Sequence, residues 1–382
     1  MKPTSANNRI THGDLIDFLA ARISPNLAEE WDNCGLQVGS RCSLLRGVIC
    51  CLDVTSAVVD EAKHLGADFI LSHHPLLFRP LRNLSLDSFP GSLIKEMVQA
   101  GITLYTAHTN LDKVPGGVSD RLAEQLGLAV RQPLMPEVRK VFKLVTFVPP
   151  AALSRVEEAL FSAGAGVLGN GAYRECAFRI SGEGSFFPEE GSSPRVGEVG
   201  RRNLVPEIRF ETVCEDRVLS RVLSALEQTH PYEVPAYDLY RMELKRSDCG
   251  LGRIGELEDA LELESFIALV RERLGGVTVR LIGGKLQDRV KRVALCGGSG
   301  FSLYSAAVTA GADLYLTGDV KYHEAREIVD GGGIPLLDAG HFATERPVVE
   351  VCSAMCRDFL VDQGLQLPVV SAQAECDPWI YI

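Results

Sequence analysis

The feature that most constrains this chain is that its two ends resemble each other. Val48 opens the apolar run VICCLDVT, and Gly66-Ala67-Asp68 introduces a second run, FILSHHP. Near the other end, Val293 opens VALCGGSG, and Gly311-Ala312-Asp313 introduces LYLTGDV. The interval from the valine to the Gly-Ala-Asp triplet is 18 residues in both copies. That interval is alanine-rich and suited to a helix between two short apolar strands, so each copy reads as a βαβ unit with a parallel sheet. A third strand follows each, ITLYTAHTNLD and IPLLDAGHFATE, and His108 with Asp112 and His341 with Glu345 then share the spacing His-x-x-x-acid. The fold class expected is α/β, with a main domain of two pseudo-repeated βαβ-rich halves.

Between the halves, residues 132–246 keep a different rhythm. Strands at VFKLVTFV, around Cys176 to Ser181, at EIRFETV and near Ala236 to Met242 alternate with helices that contain Leu153 to Val156 and Leu219 to Val222. The order βαββαβ is the ferredoxin-like plan. This places a small α+β insertion at 132–246 in a main domain of 1–131 plus 247–382, with SDCGLGRIG as a glycine-rich return. A length of 382 residues suits two such domains.

Composition narrows the classes. No apolar run reaches the roughly 20 residues of a membrane span, and the N-terminus lacks a signal-peptide core, so a cytoplasmic protein is expected. The net charge is −11 with no basic block, so no nucleic-acid surface is indicated. Eleven cysteines form no CxxC pair, and buried reduced thiols are expected, with Cys352 and Cys356 on one helix face.

The chemistry gathers at strand ends. His73 and His74 close the strand DFIL just before Pro75, at the carboxyl edge where parallel sheets place ligands. Neighbouring side chains on a strand point to opposite faces, so adjacent histidines could address two different ions. An isolated pair would more often pack one ring and solvate the other; four further strand-end candidates shift the balance. Asp112 lies in the turn HTNLDKVPGG, and could fold back over the sheet edge or merely serve the turn. Pro347 argues against a continuous helix through His341 and Glu345, so Thr344 is expected to N-cap the helix beyond, with Glu345 at its start. His73, His74, Asp112, His341 and Glu345 are nitrogen and oxygen donors without sulfur, a set suited to zinc, manganese, iron or cobalt. Two divalent ions about 3.5–4 Å apart would activate a water and polarise a substrate oxygen together.

Other residues stay open. His108, the twin of His341, is a candidate ligand, proton shuttle or ordinary strand-end histidine. His323 and Asp319 could reach the same cleft, although Asp319 could instead cap a helix. Gly297 to Gly300 could offer free N–H groups to a phosphate or simply allow a turn. Trp31-Asp32-Asn33 reads as a turn with a packed aromatic, and His230 as a residue ending a helix.

In order along the chain, the motifs WDNCGLQVG, SHHPLLF, AHTNLD, TGDVKYHEA and GHFATERP resemble the NIF-three-like family of dinuclear-metal proteins, known as GTP cyclohydrolase 1 type 2 homologs. The resemblance implies the same five metal ligands, with His108 outside that set. It also implies a homo-oligomer, a hexameric ring built as a trimer of dimers with its metal sites facing an internal cavity. HPYEVPAYD and its surroundings look like the PII- and CutA-like insertion of longer members. The function implied is a metal-dependent hydrolase acting on a nucleotide or related small molecule. The competing expectation is a non-enzymatic metal-binding regulatory or storage protein whose insertion senses a ligand.

Overall fold

The structure, a computed structural model, describes residues 9–380. The chain divides into two compact units, one formed by the chain up to Glu137 and from Ser247 onward, the other spanning Val138–Arg246. No described helix is long and apolar enough to cross a membrane.

The Gly-Ala-Asp triplets of the first unit have a physical explanation. Gly66 (φ +68°) ends the helix Ser56–Leu65 in the left-handed conformation, and Gly311 (φ +70°) does the same after Tyr304–Thr309, a conformation glycine adopts without steric cost. Ala67 and Ala312 are buried behind them. Asp68 Oδ1 then accepts from the backbone N–H of Arg46 and Gly47, and Asp313 Oδ2 from that of Lys291 and Arg292. Each triplet thus stops a helix, turns the chain inward and ties the start of one strand to the next.

The strands so ordered build two mixed sheets. In the first, Val48–Cys51, Phe69–Ser72 and Thr103–Thr106 run parallel, with Gly35–Val38 antiparallel at one edge and Val369–Ser371 parallel at the other. In the second, Arg289–Leu295, Leu314–Thr317 and Leu336–Asp338 run parallel, with Arg280–Ile282 antiparallel beside the third strand. The final part of the strand Tyr237–Glu262 pairs with Arg289–Leu295 on the other side. Val48–Cys51, Phe69–Ser72, Thr103–Thr106, Leu314–Thr317 and Leu336–Asp338 are buried along their whole length, as expected where both faces are covered. Each fully buried Leu, Ile or Phe in these layers contributes about 1.5–3 kcal/mol relative to exposure.

The glycine-rich return SDCGLGRIG is extended strand. Its glycines allow close packing: a Cβ at Gly250 would stand 2.2 Å from the Met135 carbonyl oxygen. Arg253 in this segment is only 2% exposed and pairs with Asp120 at 2.7 Å while donating to the carbonyls of Gly250, Gly252 and Val114. Cys352 and Cys356 are buried on the helix Val348–Asp362.

Within the second unit the order is strand, helix Leu153–Ser162, strand Ala177–Phe186, strand Asn203–Glu215, helix Asp216–Thr229, strand. Val141–Val148 pairs antiparallel with Ile208–Glu215, and Ala177–Phe186 with residues 203–212. Leu144, Val148, Val156, Leu160, Phe210, Val222 and Leu226 form its core. His230 ends the second helix, and its Nε2 lies 3.1 Å from the Phe147 carbonyl oxygen.

Candidate metal centre

All the donors lie in the first unit, just beyond the carboxyl ends of parallel strands. His73 and His74 follow Phe69–Ser72, and their backbone N–H groups extend its pairing to the carbonyls of Cys51 and Leu52. The third strand of each sheet runs into a single short turn of helix, Thr109–Lys113 and His341–Glu345. Asp112 therefore sits on a helical turn rather than in an open loop. His341 and Glu345 do share a helical face, with Nε2 and Oε2 2.9 Å apart. Thr344 is not an N-cap: its hydroxyl donates back to the Gly340 and His341 carbonyls and accepts from Gly298 N–H. Pro347, whose missing N–H costs nothing there, starts the next helix.

Every histidine of the cluster is held by Nδ1. His73 Nδ1 is 2.9 Å from the Ala107 carbonyl oxygen, His74 Nδ1 2.9 Å from Asp53 Oδ1, His108 Nδ1 2.8 Å from Asp32 Oδ1, and His341 Nδ1 2.7 Å from Asp319 Oδ2. In the neutral ring Nδ1–H donates to these acceptors, which leaves the Nε2 lone pair free for a metal. Two groups of closely spaced donors result, His73 with His74 and His108, and His74 with His341 and Glu345.

Glu345 connects them. Its Oε2 lies 2.9 Å from both His74 Nε2 and His341 Nε2, while Oε1 faces His73 Nε2 at 3.8 Å. Asp112 Oδ1 lies 3.7 Å from the same His73 atom. His73 Nε2 is buried and has no hydrogen-bond partner.

The protons report how much positive charge the pocket asks for. Burial alone would raise the Glu345 carboxyl, but hydrogen bonds from His341 and His74 hold it well below the usual carboxylate range. Burial disfavours the charged form of His74, yet Asp53 and Glu345 push it up to about 10. His341 is pushed up to about 9, burial being outweighed by Glu345 and Asp319. Burial raises the Asp112 carboxyl, only partly countered by His73.

The glycine-rich segment has a different use from phosphate binding. The N–H groups of Gly297, Gly298 and Gly300 already donate to Ser119, Thr344 and Thr317. Gly298 leaves space: a Cβ there would stand 2.0 Å from Glu345 Oε1. Asp319 does not cap the following helix, whose N-cap is Lys321; it adopts φ +56° and turns its carboxylate to His341. His323 is exposed on that helix, its ring against Tyr322.

Sequence reasoning missed two carboxylates, Asp32 and Asp53. Asp32 accepts from His108 Nδ1 and from the Thr109 hydroxyl, and despite burial these bonds hold its carboxyl far below the usual range. Cys34 donates to Asp32 at 3.0 Å, and burial with that contact pushes its thiol up to about 12. The motif WDNCGLQVG was the available signal. Trp31 is exposed rather than packed in a turn.

Comparison with known proteins follows this geometry. The Duf34/NIF3 (NGG1p interacting factor 3) family model matches residues 10–378. The GTP cyclohydrolase 1 type 2 homolog of Halalkalibacterium halodurans is 38% identical over 376 residues, covering 98% of this chain and 100% of that one. The Bacillus subtilis protein of the same name is 39% identical over 352 residues, 91% of this chain and 93% of its own. Among solved structures, a Bacillus cereus protein related to NIF3 superposes with a TM-score of 0.72 at 36% identity, covering 98% of this chain and all of that one. Staphylococcus aureus protein SA1388 gives a TM-score of 0.81 at 29% identity, covering 99% of this chain and all of its own.

Proposed function

This chain belongs to the Duf34/NIF3 family, and from that premise we propose that it is a metal-dependent hydrolase of a nucleotide or related small molecule. Two divalent ions, zinc, iron, manganese or cobalt, would be held by His73, His74, Asp112, His341 and Glu345. The observation that carries the reading is the divided carboxylate of Glu345, with one oxygen toward His73 and the other toward His74 and His341. The orphaned His73 Nε2 fits a cation: its 3.7 Å and 3.8 Å separations from carboxylate oxygens are too long for hydrogen bonds, so this buried nitrogen beside two carboxylates would serve as a metal donor.

Such ions, when bound, lower the pKa of coordinated water and polarise a substrate oxygen. The remaining work falls to the chain. Asp53, Asp319, Asp32 and the Ala107 carbonyl fix the ring orientations, which keeps each Nε2 aimed inward without reorganisation. His108, anchored on Asp32, presents Nε2 beside His73 and His74 and can take or return a proton there. GTP, the substrate suggested by the relatives' name, is the first nucleotide to assay. The family resemblance supports a homohexamer, a trimer of dimers. The βαββαβ order of the second unit supports reading 132–246 as a PII- and CutA-like insertion.

The test is elemental analysis of anaerobically purified protein, followed by turnover assays against nucleotides with His74→Ala and Glu345→Gln beside the parent. Turnover that survives both substitutions would sink the catalytic model. Bound metal with no turnover of any nucleotide would leave the regulatory or storage reading.

A further inference from the structure

Two large aromatic rings stand in the open beside this polar cluster. Trp31 is 60% exposed and Phe78 46% exposed. Their centroids lie 5.9 Å apart, edge to face, and each is 6.3 Å from the His108 ring. The loops that carry them are stitched together: Asn33 Nδ2 donates to the Leu77 carbonyl, Leu77 N–H to Gln37 Oε1, and Gln37 Nε2 to the Asn33 carbonyl. Asp32, next to Trp31, is itself tied to His108 and Thr109. The rings are therefore preset, and ligand binding need not order them.

Exposed apolar groups grouped at a polar mouth mark a binding surface, and an aromatic face stacks on any planar π-system. The His108 ring that both rings approach stands 5.2 Å from the His73 ring and 5.7 Å from the His74 ring, so an occupant seated on Trp31 and Phe78 lies next to the cluster. We propose that Trp31 and Phe78 form an aromatic subsite for a planar heteroaromatic ring of the nucleobase kind, one ring stacking on its face and the other meeting its edge, with a further edge held toward His108 and the His73–His74 pair. What happens at that edge rests on the hydrolase reading above; the stacking itself does not.

Trp31 and Trp379 are the two tryptophans of the chain, so Trp379→Phe leaves Trp31 as sole emitter. Guanosine and adenosine added to the metal-loaded full chain quench that emission, whereas ribose and tripolyphosphate do not. In equilibrium dialysis, Trp31→Ala and Phe78→Ala weaken guanosine binding about ten- to a hundredfold, while Trp31→Phe keeps it within about threefold. Metal content and circular dichroism stay at parent values in all three. Failure of both nucleosides to bind, or alanine variants that bind them as tightly as the parent, overturns the proposal. So does a change in assembly mass with nucleoside binding intact, since the rings would then be a protein contact. A parent protein that binds guanosine without holding metal sinks the hydrolase reading and leaves this subsite standing; metal without nucleoside binding does the reverse.

Discussion

Nε2 of His74 and Oε2 of Glu345 stand 2.9 Å apart although 271 positions separate them in the chain. The contact joins the end of a strand in the first sheet to the helical turn that follows a strand in the second. Removing the carboxylate while keeping its shape therefore tests the whole centre. Glu345→Gln is expected to drop bound metal from two ions per chain to one or fewer, read by elemental analysis. It also lowers the stabilisation that added metal gives the parent, by about 2.7 kcal/mol for each site lost at a hundredfold excess over Kd, read as a smaller metal-dependent shift in melting temperature.

The carboxylates behind the histidines are expected to matter without touching an ion. Asp53→Asn and Asp319→Asn leave the five ligands intact but loosen the Nδ1 anchors of His74 and His341. Each should weaken metal affinity by about 10–100-fold, measured by competition with a chelator of known affinity, with the fold unchanged by circular dichroism.

Protons and metal compete for the same atoms. In metal-free protein His74 is raised to about 10 and His341 to about 9 from an ordinary value of 6.5. A raised histidine contributes stability that is fully present below its unfolded pKa and is lost as pH rises through its folded pKa. Metal-free protein should thus lose stability between about pH 6.5 and 10, while metal-loaded protein does not. Calorimetric metal titration at pH 7 in buffers of different ionisation enthalpy should show protons released; zero release would contradict the predicted charge state.

Arg253 and Asp120 form a largely buried pair, the guanidinium almost wholly so. Asp120→Ala leaves a buried guanidinium with carbonyl partners alone, and a loss of about 3–5 kcal/mol is expected in denaturant unfolding.

Two glycines with nearly the same backbone separate strain from crowding. At Gly66 (φ +68°) a Cβ meets nothing within 4 Å, and at Gly298 (φ +65°) it meets Glu345 Oε1 at 2.0 Å. Gly66→Ala should cost only the left-handed penalty, about 1–2 kcal/mol, with metal binding unchanged. Gly298→Ala should in addition lower metal affinity.

Much of this was legible because the Gly-Ala-Asp triplets recur and each of their residues has a local duty, so the α/β class and the strands carrying His73, His108 and His341 followed from pattern alone. Asp32 and Asp53 were hidden because their partners lie 76 and 21 positions away, and no local rule pairs a carboxylate with a distant ring. The edge strands Gly35–Val38 and Arg280–Ile282 are too short to show a period of two. Thr344 misled because the same hydroxyl that caps helices in general here serves Gly298 N–H. Trp31 misled because a large ring next to a turn is usually covered, and this one is not.

The strand Val369–Ser371 pairs with Val48–Cys51, which gives the order of synthesis a role. A ribosome has to deliver Val369–Ser371 before the first sheet gains that edge, and Glu345 emerges ahead of it. Nascent chains that stall before the turn His341–Glu345 carry His73, His74 and Asp112 without the carboxylate that meets His74. With the ligand set proposed above, tight metal capture would then wait for Glu345.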